Sequence, residues 1–64
     1  MHPAIEHVLK FFAYDHLPQH LQGVSKPFGE LANQCALRAP DSQETTIALR
    51  KLLEAKDAAA RAIL

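Results

Sequence analysis

A chain of 64 residues, 48% of them apolar and with seven basic against seven acidic side chains, has the composition of one folded domain, not of a disordered segment. The even charge balance excludes the basic excess that duplex DNA selects, and no apolar run approaches the roughly 18 residues of a membrane span. So short a chain buries too little of its surface to be comfortably stable alone. With a single cysteine, Cys35, it has no internal disulfide to help, so self-association or a metal is needed.

The opening stretch "MHPAIEHVLKFF" lacks the basic region and small-residue cleavage site of a secretory signal, so a cytosolic protein with a reduced Cys35 is expected. From Pro3 to Tyr14 the apolar residues Ile5, Val8, Leu9 and Phe12 recur at i, i+3, i+4 and i+7, the spacing of one helical face, with Pro3 suited to a first turn. "DHLPQHLQG" then reads as a connector, a bend with room for one helical turn inside it: Pro18 pushes Leu17 out of helical geometry and Gly23 is a weak helix former.

Ser25 is a good N-cap residue and Pro27 is tolerated in a first turn, which predicts a second helix from Lys26 to about Arg38 with a stripe of Phe28, Leu31, Ala32 and Cys35. Pro40, then Asp41 with Glu44 three residues on, has the pattern of a capping box and starts a third helix near Ser42. Nothing stops that helix before Leu64. It is built of strong helix formers, with Arg50/Glu54 and Asp57/Arg61 at i, i+4. Ala48, Leu52, Ala55, Ala59 and Ala62/Ile63 line one face and Leu49, Leu53 and Ala60 an adjoining one, a stripe wider than one partner helix requires. Other protomers are expected to cover the excess. The fold class expected is therefore all-α: a short N-terminal helix plus an antiparallel helical hairpin, one domain over 1–64, assembling into a helical homo-oligomer.

Catalytic constellations are absent from the sequence: no Gly-rich phosphate loop, nucleophile elbow or paired carboxylates. His16 and His20 stand at i, i+4, but Pro18 lies between them and no further ligand sits at metal spacing, so solvent-facing or capping histidines are expected instead of a metal site. Cys35 lies in an apolar stripe, where a thiol behaves as a small hydrophobe. No catalytic residue, cofactor or metal is assigned, and the chain does not read as an enzyme.

Two features point to a ligand. Phe11 lies about 110° round the helix from the centre of the Ile5 to Phe12 stripe and Tyr14 farther still, so either aromatic can pack on a neighbour or stack on a flat nucleobase. Lys26, placed at an expected helix start where the dipole prefers anions, is either an ordinary solvated lysine or, with the Ser25 hydroxyl and the free N–H groups of a first turn, a phosphate seat. Arg50 and Lys51 form a second small cationic spot, which serves equally as a solvated face.

The stretch "FAYDHLPQHLQGVSKPFGELA" followed by "ETTIALRKLLEAKDAAARA" resembles the short helical-hairpin proteins of bacteriophages that act as cyclic-nucleotide sponges, the anti-CBASS sponge family, with a related hairpin in an anti-Thoeris sponge. The likeness runs from Phe11 to Ala62 and rests on the connector joined to the long last helix. It implies a compact hexamer in the cytoplasm of an infected bacterial host. Such an oligomer captures cyclic dinucleotides such as 3′,3′-cyclic GMP–AMP, and in some members cyclic trinucleotides, and keeps them from immune effectors without degrading them. It further implies that an aromatic of the first helix stacks on a base and that a lysine of the next helix pairs with phosphate, in pockets between protomers. Lys26 matches that lysine. Phe11 falls where the family carries a tyrosine, and Tyr14 is placed to share its role.

Two other classes compete. The wide Ala/Leu face of the last helix suits a protein-binding or assembly module without a nucleotide ligand. A helix-turn-helix DNA binder suffers from the neutral charge and from the lack of a basic recognition helix.

Overall fold

In the computed structural model, which describes residues 1–64, the chain forms three α-helices and no strand. Helix α1 spans Pro3–Leu9, α2 Gln19–Arg38 and α3 Gln43–Ala62, with a 3₁₀ turn over Lys10–Phe12. The all-α class expected from the helical spacings is the one observed. Pro3 opens α1 in its first turn, and the Nδ1 atom of His2 caps the helix by accepting the Ala4 N–H at 3.0 Å. Ile5, Val8 and Phe12 are buried, as their spacing predicts. The first helix is shorter than expected, however: its last turn tightens to 3₁₀ and the chain leaves helical geometry at Ala13.

The largest correction concerns α2. It begins at Gln19, not Lys26, and continues through Pro27. Proline within a helix removes one backbone donor and crowds the carbonyl four residues earlier. Here that carbonyl belongs to Gly23, an exposed residue with nothing within 4 Å of the place a Cβ would occupy. The carbonyl without a partner is therefore open to water, and tertiary packing of the following turns holds the helix together.

Two 20-residue helices joined through Ala39–Ser42 can only fold back on one another, giving an antiparallel hairpin. At 1.5 Å per residue each is about 30 Å long, close to the 34 Å longest dimension of the molecule. The α3 start uses Ser42 as its N-cap, not the Asp41/Glu44 box: its Oγ accepts the Thr45 N–H at 3.3 Å. Thr45, itself buried, donates through its hydroxyl to the Pro40 carbonyl at 2.6 Å. The expected Arg50/Glu54 and Asp57/Arg61 pairs do not form; the ion pairs are Lys51–Glu54 at 3.7 Å and Lys56–Asp57 at 3.4 Å.

Helix α2 turns Ser25, Gly29, Ala32 and Ala36 inward, an i, i+4, i+7, i+11 row of small residues that lets neighbouring backbone approach closely. The expected stripe was centred on Phe28, Leu31, Ala32 and Cys35. Phe28 and Cys35 do pack at the margin of the core, but Leu31 is 47% exposed. The physical reason is the third layer: α1 and the 3₁₀ turn lie along one side of the hairpin and draw the centre of burial toward Gly29. On α3 the Leu49 face packs inward with Leu52 and Leu53, whereas Ala48 and Ala55 are exposed. Only Ile5, Val8, Phe12, Ala32, Ala36 and Leu49 form the fully buried apolar core, a small one for any domain.

Candidate functional site

After Phe12 the chain makes a tight connector. The Leu17 N–H returns to the Tyr14 carbonyl at 3.0 Å, and Pro18 then starts α2, its carbonyl accepting the N–H groups of Leu21 and Gln22 at 2.9 and 3.0 Å. Two residues of α2 hold the connector in place. The Gln22 side-chain amide donates to the Leu17 carbonyl at 2.8 Å and reaches the Asp15 carbonyl at 3.4 Å. Farther along, a Cβ at Gly29 would stand 3.1 Å from the Phe12 carbonyl oxygen and 3.5 Å from the Tyr14 ring, so the approach of connector to helix depends on glycine there.

Gln22, Lys26 and Gly29 follow one another at i, i+4 and i+7 on a single helical row. Lys26 therefore lies between the two positions that grip the connector. It is exposed and makes neither a side-chain hydrogen bond nor an ion pair, not even with Glu30 one turn on. Its position overturns the helix-start seat: at the eighth residue of α2 the surrounding N–H groups belong to the helix interior, and the free donors of a first turn lie back at Gln19 and His20. Ser25, expected as N-cap and ligand neighbour, is only 1% exposed and faces the core. It caps nothing.

The two candidate aromatics separate. Tyr14 is half-buried, its ring against Gly29 on the Lys26 side of α2. Phe11 is 53% exposed and meets the His7 ring edge to face, centroids 5.4 Å apart at 83°, which places it along α1. Tyr14, not Phe11, is the aromatic next to the Lys26 row. Arg50 and Lys51 are both exposed on the outer side of α3, Lys51 paired with Glu54, and none of their contacts joins them to the connector.

Sequence reasoning missed Lys56. Its side chain is only 12% exposed, and its ammonium donates to the Phe11 carbonyl at 2.6 Å, lies 5.7 Å from the Phe12 ring centroid and pairs with Asp57. The carbonyl it binds is one that the end of the 3₁₀ turn leaves without a helical partner. A signal was present in the sequence: Lys56 continues the Thr45, Leu49, Leu52 row, and a lysine in an apolar row normally lays its stem on the core while its head finds an acceptor.

His16 and His20 are exposed, and no group of three or more His, Cys, Asp or Glu side chains converges. The surface has two concave regions, one between the starts of α1 and α3 around His2, Asp41 and Thr46, the other along the hairpin between Leu31, Cys35, Arg38, Glu44 and Ala48. Neither includes Lys26, Tyr14 or Phe11. No helix is long and apolar enough to cross a membrane. No protein-family model, curated protein or solved structure matches the chain.

Proposed function

We propose that the protein is a non-catalytic sponge for cyclic oligonucleotide messengers. In this proposal it captures cyclic dinucleotides such as 3′,3′-cyclic GMP–AMP, and cyclic trinucleotides, in the cytoplasm of an infected bacterial host, and so withholds them from CBASS effectors. The observation that carries the reading is the placement of Lys26: an unpaired, exposed ammonium on the row of α2 that grips the connector, with the Tyr14 ring on the same side. A cation and an aromatic ring on one side of a helix answer the two chemistries of a nucleotide. The ammonium pairs with phosphate through charge-assisted hydrogen bonds, and the ring offers a π-face to a base, worth about 1–3 kcal/mol per stacked base. Sequestration asks only for tight binding, without the positioned acids, bases or metals that a transition state requires.

The site of one chain is half a site. Neither concave region of the monomer contains these residues, so in this reading the pocket closes when a second copy is added. The same association covers the hairpin face on which Leu31, Ala48 and Ala55 lie exposed and relieves the shortage of core. A homo-oligomer is therefore part of the proposal, and a hexamer is the form that the family likeness implies. The test is a thermal-shift panel of cyclic di- and trinucleotides. A ligand that binds only the folded state raises its apparent stability as RT ln(1 + [L]/Kd), and a panel in which none does so contradicts the proposal.

One observation favours a second reading. The groove between Leu31, Cys35, Arg38, Glu44 and Ala48 is apolar with a charge of each sign at its margin, as a helix of a different protein would require. Sedimentation of the isolated protein as a monomer, with that face free, supports the assembly module over the sponge.

A further inference from the structure

We infer that Lys56 is a positioning residue: its ammonium, on α3, sets where the Phe11–Leu17 segment sits on α2, and with it the placement of the Tyr14 ring at Gly29. The segment carries both candidate aromatics; Phe12 anchors it in the core, and beyond that burial only a few contacts fix its backbone. Gln22 holds its far end at Leu17, Gly29 admits its middle at Phe12 and Tyr14, and its beginning is held at the Phe11 carbonyl by Lys56.

That last contact is unlike the others, because it joins residues 45 positions apart and gives α3 a direct polar hold on the backbone of a segment whose other polar contact runs to α2. It is also the only side-chain hydrogen bond reaching from α3 to the first helical layer. Chemistry explains the choice of lysine. A helix end presents carbonyls with no partner and a partial negative charge, which a cation satisfies. The aliphatic stem lies in the core row, the Phe12 ring faces the ammonium, and Asp57 at 3.4 Å supplies the counter-charge. Methionine at this position keeps the stem and its packing while removing the clamp; arginine keeps a donor of the same charge. The effect on ligand capture rests on the proposed sponge function, whereas the effect on the connector does not.

The sequence supplies its own reporter, since Tyr14 is the single tyrosine and there is no tryptophan. In Lys56→Met at unchanged helix content, Tyr14 fluorescence anisotropy is expected to fall, and amide exchange over Ala13–Leu17 to accelerate at least tenfold. Lys56→Arg is expected to restore most of both, and Asp57→Asn to leave both near the wild type. Unchanged anisotropy and exchange in Lys56→Met overturn the inference. Should that variant not fold, the wild-type protein decides: under reductive methylation Lys56 is expected to react at least tenfold more slowly than Lys10, Lys26 and Lys51, and equal rates overturn the clamp. If the wild type binds no cyclic dinucleotide while the connector readouts shift as stated, the sponge proposal fails and the clamp stands.

Discussion

Pro27 stands one turn after Gly23 inside a single helix, so the carbonyl that Pro27 cannot satisfy belongs to a residue without a side chain and open to solvent. Proline in a helix interior costs about 3 kcal/mol against alanine, while its stiffening of the unfolded chain returns up to about 1 kcal/mol. Pro27→Ala is therefore expected to stabilise the protein by about 2 kcal/mol, read as a higher urea midpoint at constant slope. Had the helix begun at Lys26, proline would sit in a favourable first turn and the substitution would bring no gain.

The two glycines of α2 should respond oppositely. Gly23→Ala adds a methyl group in open space and gains helix propensity of about 0.8–1 kcal/mol. Gly29→Ala places a Cβ 3.1 Å from the Phe12 carbonyl oxygen, a backbone atom that moves only if the connector moves. We expect no net stabilisation at Gly29 and a changed Tyr14 emission. Chemical denaturation and tyrosine fluorescence of the two variants check this.

Most of the fold was legible because helical periodicity and end signals act locally. Ile5, Val8 and Phe12 declared their face, Pro3 its first turn and Ser42 the neighbourhood of a helix start. What was not legible depended on the third layer. Ser25 and Pro27 carry the local chemistry of a helix start, and only tertiary burial, of Ser25 in the interior and of Gly29 against Phe12 and Tyr14, makes them helix interior. The candidate site was legible as residue types and not as geometry. Lys26 and Tyr14 share one side of α2 because the connector packs on Gln22 and Gly29, a relation no spacing displays, and Lys56 went unseen because its acceptor is a backbone carbonyl far away in the chain.

The cap of α3 gives a simple stability test. Ser42 Oγ accepts the Thr45 N–H, and loss of such a cap costs about 1 kcal/mol. Ser42→Ala should lower the thermal midpoint accordingly, while Asp41→Ala, which removes the residue expected from the capping-box pattern, should leave it nearly unchanged.

Removing candidate site residues should separate binding from folding. Lys26 is exposed and unpaired, so Lys26→Ala is expected to change stability by no more than about 0.5 kcal/mol and to weaken cyclic dinucleotide capture at least tenfold. Tyr14→Ala should weaken capture more than Phe11→Ala, since the Tyr14 ring packs at Gly29, on the same row of α2 as Lys26. The Arg50→Ala/Lys51→Ala double variant should retain cyclic dinucleotide capture. Calorimetric titration of each variant orders them, and a larger loss for Phe11→Ala than for Tyr14→Ala would reassign the stacking residue.

The most direct measurement mixes the protein with 3′,3′-cyclic GMP–AMP, removes the protein by ultrafiltration, and then heats the retained fraction and analyses what it releases. A sponge depletes free ligand in proportion to protein and returns it chemically intact, and Lys26→Ala leaves the ligand in the filtrate. Hydrolysed ligand after heating, or no depletion of this or any other cyclic di- or trinucleotide, would contradict the account.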